Sequence, residues 1–322
     1  MCGGNNHPSL MRPDKLPLAF CGSCQLWYVS NLPPLEEIHQ LYQGYWFTFR
    51  PKDLSPLYAS RLISDEGLLE DDIRLNRLSA LSGGLEGKRL LEIGCGCGEF
   101  LVGARRRGAS VFGNDISPEA CSFVREQLHF PVFQGPLYDS AFTAEFGAMD
   151  MVAMSDLIEH PVEPLHTFES ALKVLKPGGL LMILTPNGGE ASDDLRGAMQ
   201  WVGFRVNLDH LQYLSSATIL ALACRYGCRI EHLETFGYPW LEGIEGPPAG
   251  TAAAVRPLKS CVKARLKKIA AARKLVRAVR ASRDIFAGSQ RDGRCGTYNL
   301  FAILRRMSSQ ETWPQNMKPV TR

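Results

Sequence analysis

The stretch LLEIGCGCGEFL, Leu90 to Leu101, carries three glycines at alternate positions, Gly94, Gly96 and Gly98, between an apolar run and a segment that turns helical at Glu99. Glycine admits backbone angles that other residues resist, and it lets a ligand approach the main chain. A helix start adds unpaired N–H groups and the positive end of a dipole. Two ligand classes suit such a turn: dinucleotides and S-adenosyl compounds. The dinucleotide fingerprint is G-x-G-x-x-G. Here the run is E-x-G-x-G-x-G from Glu92, so the third glycine comes one residue early and an acid precedes the first. Further on, SDLIEH holds Asp156, Glu159 and His160, and LDHLQY holds His210. Imidazole titrates near working pH, so His160 or His210 could take a proton from a nucleophile. His160 could equally order a loop. Asp156, Glu159 and His160 also form D-x-x-E-H, an oxygen and imidazole set able to hold a divalent metal against an acceptor hydroxyl. Near the front, Cys21 and Cys24 form C-x-x-C.

These residues need a scaffold. From Gly83 onward short apolar runs alternate with amphipathic segments: RLLEIG, EFLVGARRR, SVFGND, PEACSFVREQL, PVFQ, MDMVAMS, PLHTFESALKVL and GLLMILTP. That order predicts an α/β fold with a mostly parallel sheet and helices on both faces. Such a sheet binds ligands at the carboxyl ends of its strands, where the glycine loop falls. Residues 56–82 read as mostly helical, interrupted at Gly67, and LPPLEEIHQLY has prolines and acids placed to start a helix.

The motifs resemble those of the class I S-adenosylmethionine-dependent methyltransferases, in that family's order. VFGNDIS is similar to the end of the second strand, and the stretch from MDMVAMSDLIEH to LLMILTPN, with its LKPGG turn, is similar to the fourth strand, helix and fifth strand. DHLQYLSSATILALACRYGCRI resembles a subgroup that includes ubiquinone-biosynthesis O-methyltransferases and polysaccharide-cluster methyltransferases, and TYNLFAILRR would be the last strand. The resemblance implies a Rossmann-like fold with a seven-stranded sheet and S-adenosylmethionine as cofactor. It implies cofactor contacts at Glu92, Gly94, Gly96, Gly98, Asp115, Ile116, Leu137 and Ser155, with Asp115 accepting both ribose hydroxyls. The stretch Phe133 to Leu137 lacks the acid that family members often place against the adenine, which leaves Asp139, or main chain and Leu137, to hold it. His160 and His210 are the expected catalytic residues. The ubiquinone-pathway relatives suggest magnesium at Asp156, Glu159 and His160.

In many polysaccharide-cluster relatives a run like the one around Cys21 and Cys24 is the second half of a zinc ribbon. Cys2, Cys21 and Cys24 then offer three zinc ligands, and His7 could be the fourth, since a structural site needs four. A chain start lying further upstream, or a redox pair, are the other readings.

Charge is uneven. From Arg256 to Arg283 there are 11 Lys/Arg and no Asp/Glu, which leaves 25 basic against 33 acidic residues elsewhere. Val262, Leu266, Ile269 and Val276 fall on one face of a helix there. Such a helix could pack on the catalytic domain, lie on an anionic membrane surface or bind nucleic acid; the lack of interleaved aromatics makes nucleic acid the least favoured. Ten cysteines over 322 residues do not read as a disulfide framework. No secretory start or spanning run is legible, so a cytoplasmic enzyme is expected, peripheral to the inner face of the membrane if the basic helix binds lipid.

The expected organisation is a Cys-bearing segment at 1–45, a helical lead-in at 46–84, the cofactor-binding core at 85–236, an insertion with the basic helix at 237–295, and the last strand and tail at 296–322. The expected reaction is methyl transfer to a small-molecule or glycan acceptor, with a sugar hydroxyl or amine of a polysaccharide or nucleotide-sugar pathway first. A quinone-like or lipid phenol is the alternative, and a non-catalytic cofactor-binding or zinc-ribbon scaffold is a third reading.

Overall fold

The computed structural model describes residues 6–34, 36–38, 51–64, 69–136, 140–191, 201–206, 209–237 and 297–308. Cys2, Leu137, Asp139, the His7 side chain and the basic segment 256–283 lie outside the described residues, as does nearly all of the expected insertion.

The central sheet forms where apolar runs are buried on both faces, as strands between two helical layers must be. Its strands are β4 (Arg89–Ile93), β5 (Ser110–Asp115), β6 (Val132–Gln134), β7 (Met149–Ser155), β8 (Leu175–Pro186), β10 (Cys228–Phe236) and β11 (Asn299–Arg306). Their spatial order is β10-β11-β8-β7-β4-β5-β6. The pairs β4/β5, β4/β7, β5/β6 and β7/β8 are parallel. This is the expected α/β, Rossmann-like, mostly parallel sheet. The strand order reverses beside β4, so the loops after β4 and β7 open the crevice where ligands bind such sheets.

The helices are α1 (Pro56–Ser64), α2 (Ile73–Ser82), α3 (Glu99–Arg106), α4 (Pro118–Gln127), α5 (Ser140–Phe146), α6 (Pro164–Val174), α7 (Gly203–Val206) and α8 (Ser216–Tyr226). Their ends follow local chemistry. Asp72 caps α2 by accepting from the N–H groups of Arg74 and Leu75. Ser215 and Thr218 form a capping box on α8, which ends at Gly227 in the left-handed region. α3 differs: Gly98 at φ 75° precedes it and no side chain caps it. Gly103 lets α2 pack close, because a Cβ there would lie 2.6 Å from Leu75 Cδ1.

The LKPGG segment is part of β8 and not a free turn. Met149 pairs with Leu175 and Met151 with Leu180, so five residues of β8 oppose two of β7, an irregularity that holds Gly178 at φ 78°.

The front segment forms a second sheet. β1 (Asn6–Met11), β2 (Pro17–Cys21) and β3 (Leu26–Val29) are antiparallel, and β9 (Gln212–Tyr213) joins β3 through Trp27 opposite Tyr213. Trp27 is fully buried and meets Phe20 and Phe204 at ring-centroid distances of 4.8 and 5.4 Å. Cys21 and Cys24 are also buried, within the main apolar core.

The chain divides into two units, Met1–Glu234 with Leu300–Arg322, and Thr235–Asn299. In the second, the described residues hold a backbone bond from Tyr298 N–H to the Gly237 carbonyl.

Candidate functional site

β4 ends in the glycine loop. Gly94, Gly96 and Gly98 have φ of 71°, 50° and 75°, a region that L side chains resist. A Cβ on Gly94 would lie 2.8 Å from Leu157 Cδ1, so the loop after β7 seats directly on the loop after β4. The Gly94 and Cys95 N–H groups both bond the Asn114 carbonyl, tying the turn to β5. Cys95 lies behind the loop, where a Cβ on Gly113 would meet its Sγ at 2.8 Å. Burial pushes its thiol up, so it is a small packing residue and no nucleophile.

Asp115, at the end of β5, accepts from Gly96 N–H at 2.9 Å and Ser117 N–H at 2.9 Å. Burial raises its pKa while these bonds oppose the rise. A carboxylate has about four lone-pair sites, so its backbone bonds still leave it acceptor capacity. Ile116 beside it is about half exposed, at 47%. Glu92, under the loop, is buried, and its Oε2 has no hydrogen-bond partner among the described residues. Burial lifts its pKa well above the usual range. A buried oxygen without a donor, beside an uncapped helix start and a bare backbone, fits a ligand with both an ammonium group and ribose hydroxyls. S-adenosylmethionine is such a ligand.

Arg74 was not legible as a site residue, since it is one cation on an ordinary amphipathic helix. Its Nη1 donates to Ser155 Oγ at 3.2 Å, its guanidinium pairs with Asp72, and it lies 4.8 Å over the Phe100 ring. It also interacts electrostatically with Glu92 and Asp156. Ser155 is therefore placed at the same crevice, by a side chain from outside the core motifs.

The second half of the site follows β7. Asp156 adopts φ 48°, uncommon for a non-glycine residue, with its N–H on the Leu184 carbonyl. The chain then turns so that Glu159 is wholly buried. The Glu159 carbonyl accepts from the Leu211 and Gln212 N–H groups, and Gln212 Nε2 donates to the carbonyls of Ile158 and Pro161. These four bonds fasten the His210 segment to the β7 loop. His160 and His210 meet edge to face, with centroids 4.6 Å apart. His210 Nε2 lies 4.0 Å from Glu159 Oε1, and His160 Nδ1 lies 3.6 Å from Asp209 Oδ2. Thr185 Oγ1 donates to Glu159 Oε2 at 2.9 Å.

From the front sheet, Arg12 reaches this region. Its fully buried guanidinium donates to the His210 carbonyl at 2.5 Å, to Tyr213 Oη at 2.8 Å and to Asp14. No pattern in the sequence marks it.

The electrostatics are those of a desolvated cluster. Burial, then the Asp156 charge, raises Glu159 well above the carboxylate range. Burial lowers His160, against the opposing pull of Asp209. Burial, then His160 and Arg12, pushes His210 well below its ordinary value. Both imidazoles are thus held neutral at neutral pH.

Glu159, His160 and His210 form a group whose ligand atoms lie within 4.8 Å of one another. The expected magnesium set is brought together only in part: Glu159 and His160 belong to this group, and Asp156 does not. Among the described residues, Cys21 and Cys24 belong to no such group. Their loop meets the start of α8, where the Cys24 carbonyl accepts from Thr218 Oγ1 at 2.8 Å. No helix among the described residues is long and apolar enough to cross a membrane.

Residues 69–233 match a family model described as a methyltransferase domain. Two curated relatives are ubiquinone biosynthesis O-methyltransferases. The protein from Alkalilimnicola ehrlichii is 33% identical over 121 residues, which is 36% of this chain and 48% of that protein. The one from Aeromonas salmonicida is 35% identical over 121 residues, 36% of this chain and 50% of that protein. The chain spans about half the length of these curated relatives. Among solved structures, a SAM dependent methyltransferase from Archaeoglobus fulgidus is similar at 18% identity and a TM-score of 0.47, covering 81% of this chain and 99% of that one, a likeness too loose to carry argument.

Proposed function

The chain belongs to the methyltransferase-domain family, as a class I S-adenosylmethionine-dependent enzyme, and from that premise we propose that it methylates a hydroxyl oxygen of a small-molecule or glycan acceptor. S-adenosylmethionine supplies an electrophilic methyl on a sulfonium, whose carbon–sulfur pair leaves with sulfur as the acceptor lone pair forms the new bond. The observation that carries the hydroxyl assignment is the buried Glu159, His160 and His210 cluster at the carboxyl end of β7. A hydroxyl must shed a proton to become a good nucleophile, whereas a neutral amine attacks with its own lone pair. A desolvated, neutral imidazole pair is suited to that task.

The chain's own residues divide the work. Gly94, Gly96 and Gly98 admit the methionine part against bare backbone. Asp115 accepts the ribose hydroxyls, with Ile116 beside the base; Leu137, expected against the adenine, lies outside the described residues. The Arg74 guanidinium, held by Asp72 and Ser155, faces the carboxylate of the methionine part, and Glu92 balances its ammonium. The loop contact at Gly94 and Leu157 keeps donor and acceptor halves in register, as in-line displacement requires.

A sugar hydroxyl of a polysaccharide or nucleotide-sugar pathway is the leading acceptor, on the resemblance of the front segment. A phenol of the quinone class is the second reading, favoured by the curated relatives. Transfer of labelled methyl from S-adenosylmethionine into fractionated extract of cells that carry the gene separates them. Label in the water-soluble glycan and nucleotide-sugar fraction supports the first, and label in the organic-extractable fraction the second. No label in any fraction, with cofactor bound, overturns both and leaves a cofactor-binding scaffold.

A further inference from the structure

We propose that Arg12, which lies outside the family-matched residues 69–233, is a positioning residue for methyl transfer that holds the His210 imidazole in place. The role in transfer rests on the reading above, in which the imidazoles serve the acceptor's proton. The hold on His210 rests on geometry alone.

Among the described residues no hydrogen bond orients the His210 ring. Its Nδ1 is buried without a partner, and its Nε2 stands 4.0 Å from Glu159 Oε1, beyond hydrogen-bond reach. The ring is therefore placed by its own main chain and by what packs against it. His160 and Tyr213 flank it, at centroid distances of 4.6 and 5.9 Å. Arg12 grips both the main chain and one of these rings. Its Nη1 donates to the His210 carbonyl at 2.5 Å and to Tyr213 Oη at 2.8 Å. From the other side, the Glu159 carbonyl accepts from the next two N–H groups, those of Leu211 and Gln212. The segment thus hangs between the β7 loop and one guanidinium that lies 198 residues away in the chain.

The guanidinium is itself aimed. Asp14 accepts from Nε at 3.1 Å and from Nη2 at 2.5 Å, a two-pronged pair that fixes its plane. The turn that carries both residues closes with Arg12 N–H on the Leu16 carbonyl and Lys15 N–H on the Arg12 carbonyl. Lysine, a compact charge without that fork, cannot make the same set of bonds. The Arg12 side chain is wholly buried. An apolar side chain of similar size often costs less to bury than a charged pair. Stability alone therefore does not call for a guanidinium here, whereas fixing a carbonyl and a phenol does.

The test compares the full chain with Arg12→Met, Arg12→Lys and Phe20→Leu; the last loosens the same sheet and leaves Arg12 in place. The first readout needs no acceptor: the ring signal of His210 in the isotope-labelled protein, identified by its loss in His210→Asn. It should shift in both Arg12 variants and stay in place in Phe20→Leu. The second is labelled methyl transfer into the extract fraction that the native chain labels, at saturating S-adenosylmethionine. Arg12→Met should be about ten- to a hundredfold slower at unchanged cofactor affinity, because small misplacements of a reacting group cost that much. Arg12→Lys should not restore the rate, and Phe20→Leu should lower the urea midpoint with the rate unchanged. Cofactor binding by each variant reports that it is folded. A His210 signal left in place by Arg12→Met, a native rate in that variant, or a Phe20→Leu as slow as Arg12→Met would each overturn the proposal. Failure of the native chain to label any fraction would overturn the proposed function and the role in transfer with it, and the His210 signal would then decide the hold by itself.

Discussion

At the residue scale the cofactor half of the site depends on Gly94 and Asp115. An alanine at Gly94 must hold φ 71° and place its Cβ against Leu157. The left-handed region costs an L residue about 1–2 kcal/mol, so Gly94→Ala should lower the urea-unfolding stability by that amount and weaken cofactor binding as well. The histidines give a pH signature. His160 and His210 are lowered from 6.5, chiefly by burial. The unfolded chain therefore takes up protons first as pH falls below 6.5, and stability is lost from there down through the folded values, by up to about 1.4 kcal/mol per pH unit for each histidine. Glu159, raised from 4.5, acts in the opposite sense as pH rises through its folded value. In chelator, His210→Asn should show a shallower stability loss below pH 6.5 than the native chain. Equal slopes would show that His210 is not held neutral by the fold.

At the element scale the front sheet acts as a brace for the acceptor half. β3 pairs with β9 directly after His210, and Arg12 fixes the His210 carbonyl and Tyr213 Oη. Arg12→Met withdraws a buried donor, at about 1–3 kcal/mol for each acceptor that loses it. The expected result is a lower urea midpoint and a reduced kcat, with cofactor affinity unchanged because the glycine loop is built from other strands. A loss of cofactor affinity equal to the loss in kcat would contradict the division of the site into two halves. The run around Cys21 and Cys24 suggested a zinc knuckle through its resemblance to polysaccharide-cluster relatives. Both thiols are buried in the main apolar core, and β3 reaches β9 through Trp27 opposite Tyr213, residues far apart in sequence, a pairing that local spacing cannot show.

At the scale of the whole molecule, what was legible in the sequence is what local chemistry decides. The alternation of apolar runs and amphipathic segments foretold the parallel sheet, because strands buried on both faces must read as near-continuous apolar runs. E-x-G-x-G-x-G located the glycine turn after β4, because positive φ at successive turns leaves few choices but glycine. The acceptor half was legible only as two short stretches. Their meeting depends on the bonds from Leu211, Gln212 and Arg12, and Asp156 beside them takes a backbone turn at φ 48°. Arg74 and Arg12 carry no pattern at all; each is recognised only by what it touches.

The most direct test of the central claim is equilibrium binding of S-adenosylmethionine to the full chain and to Asp115→Ala. Single-site binding by the native chain is predicted, weakened in the variant by about 1.5–3 kcal/mol for loss of a charged hydrogen-bond acceptor, roughly ten- to a hundredfold. Native binding that is absent, or that Asp115→Ala leaves unchanged while remaining folded, would contradict the placement of the cofactor and the chemistry built on it.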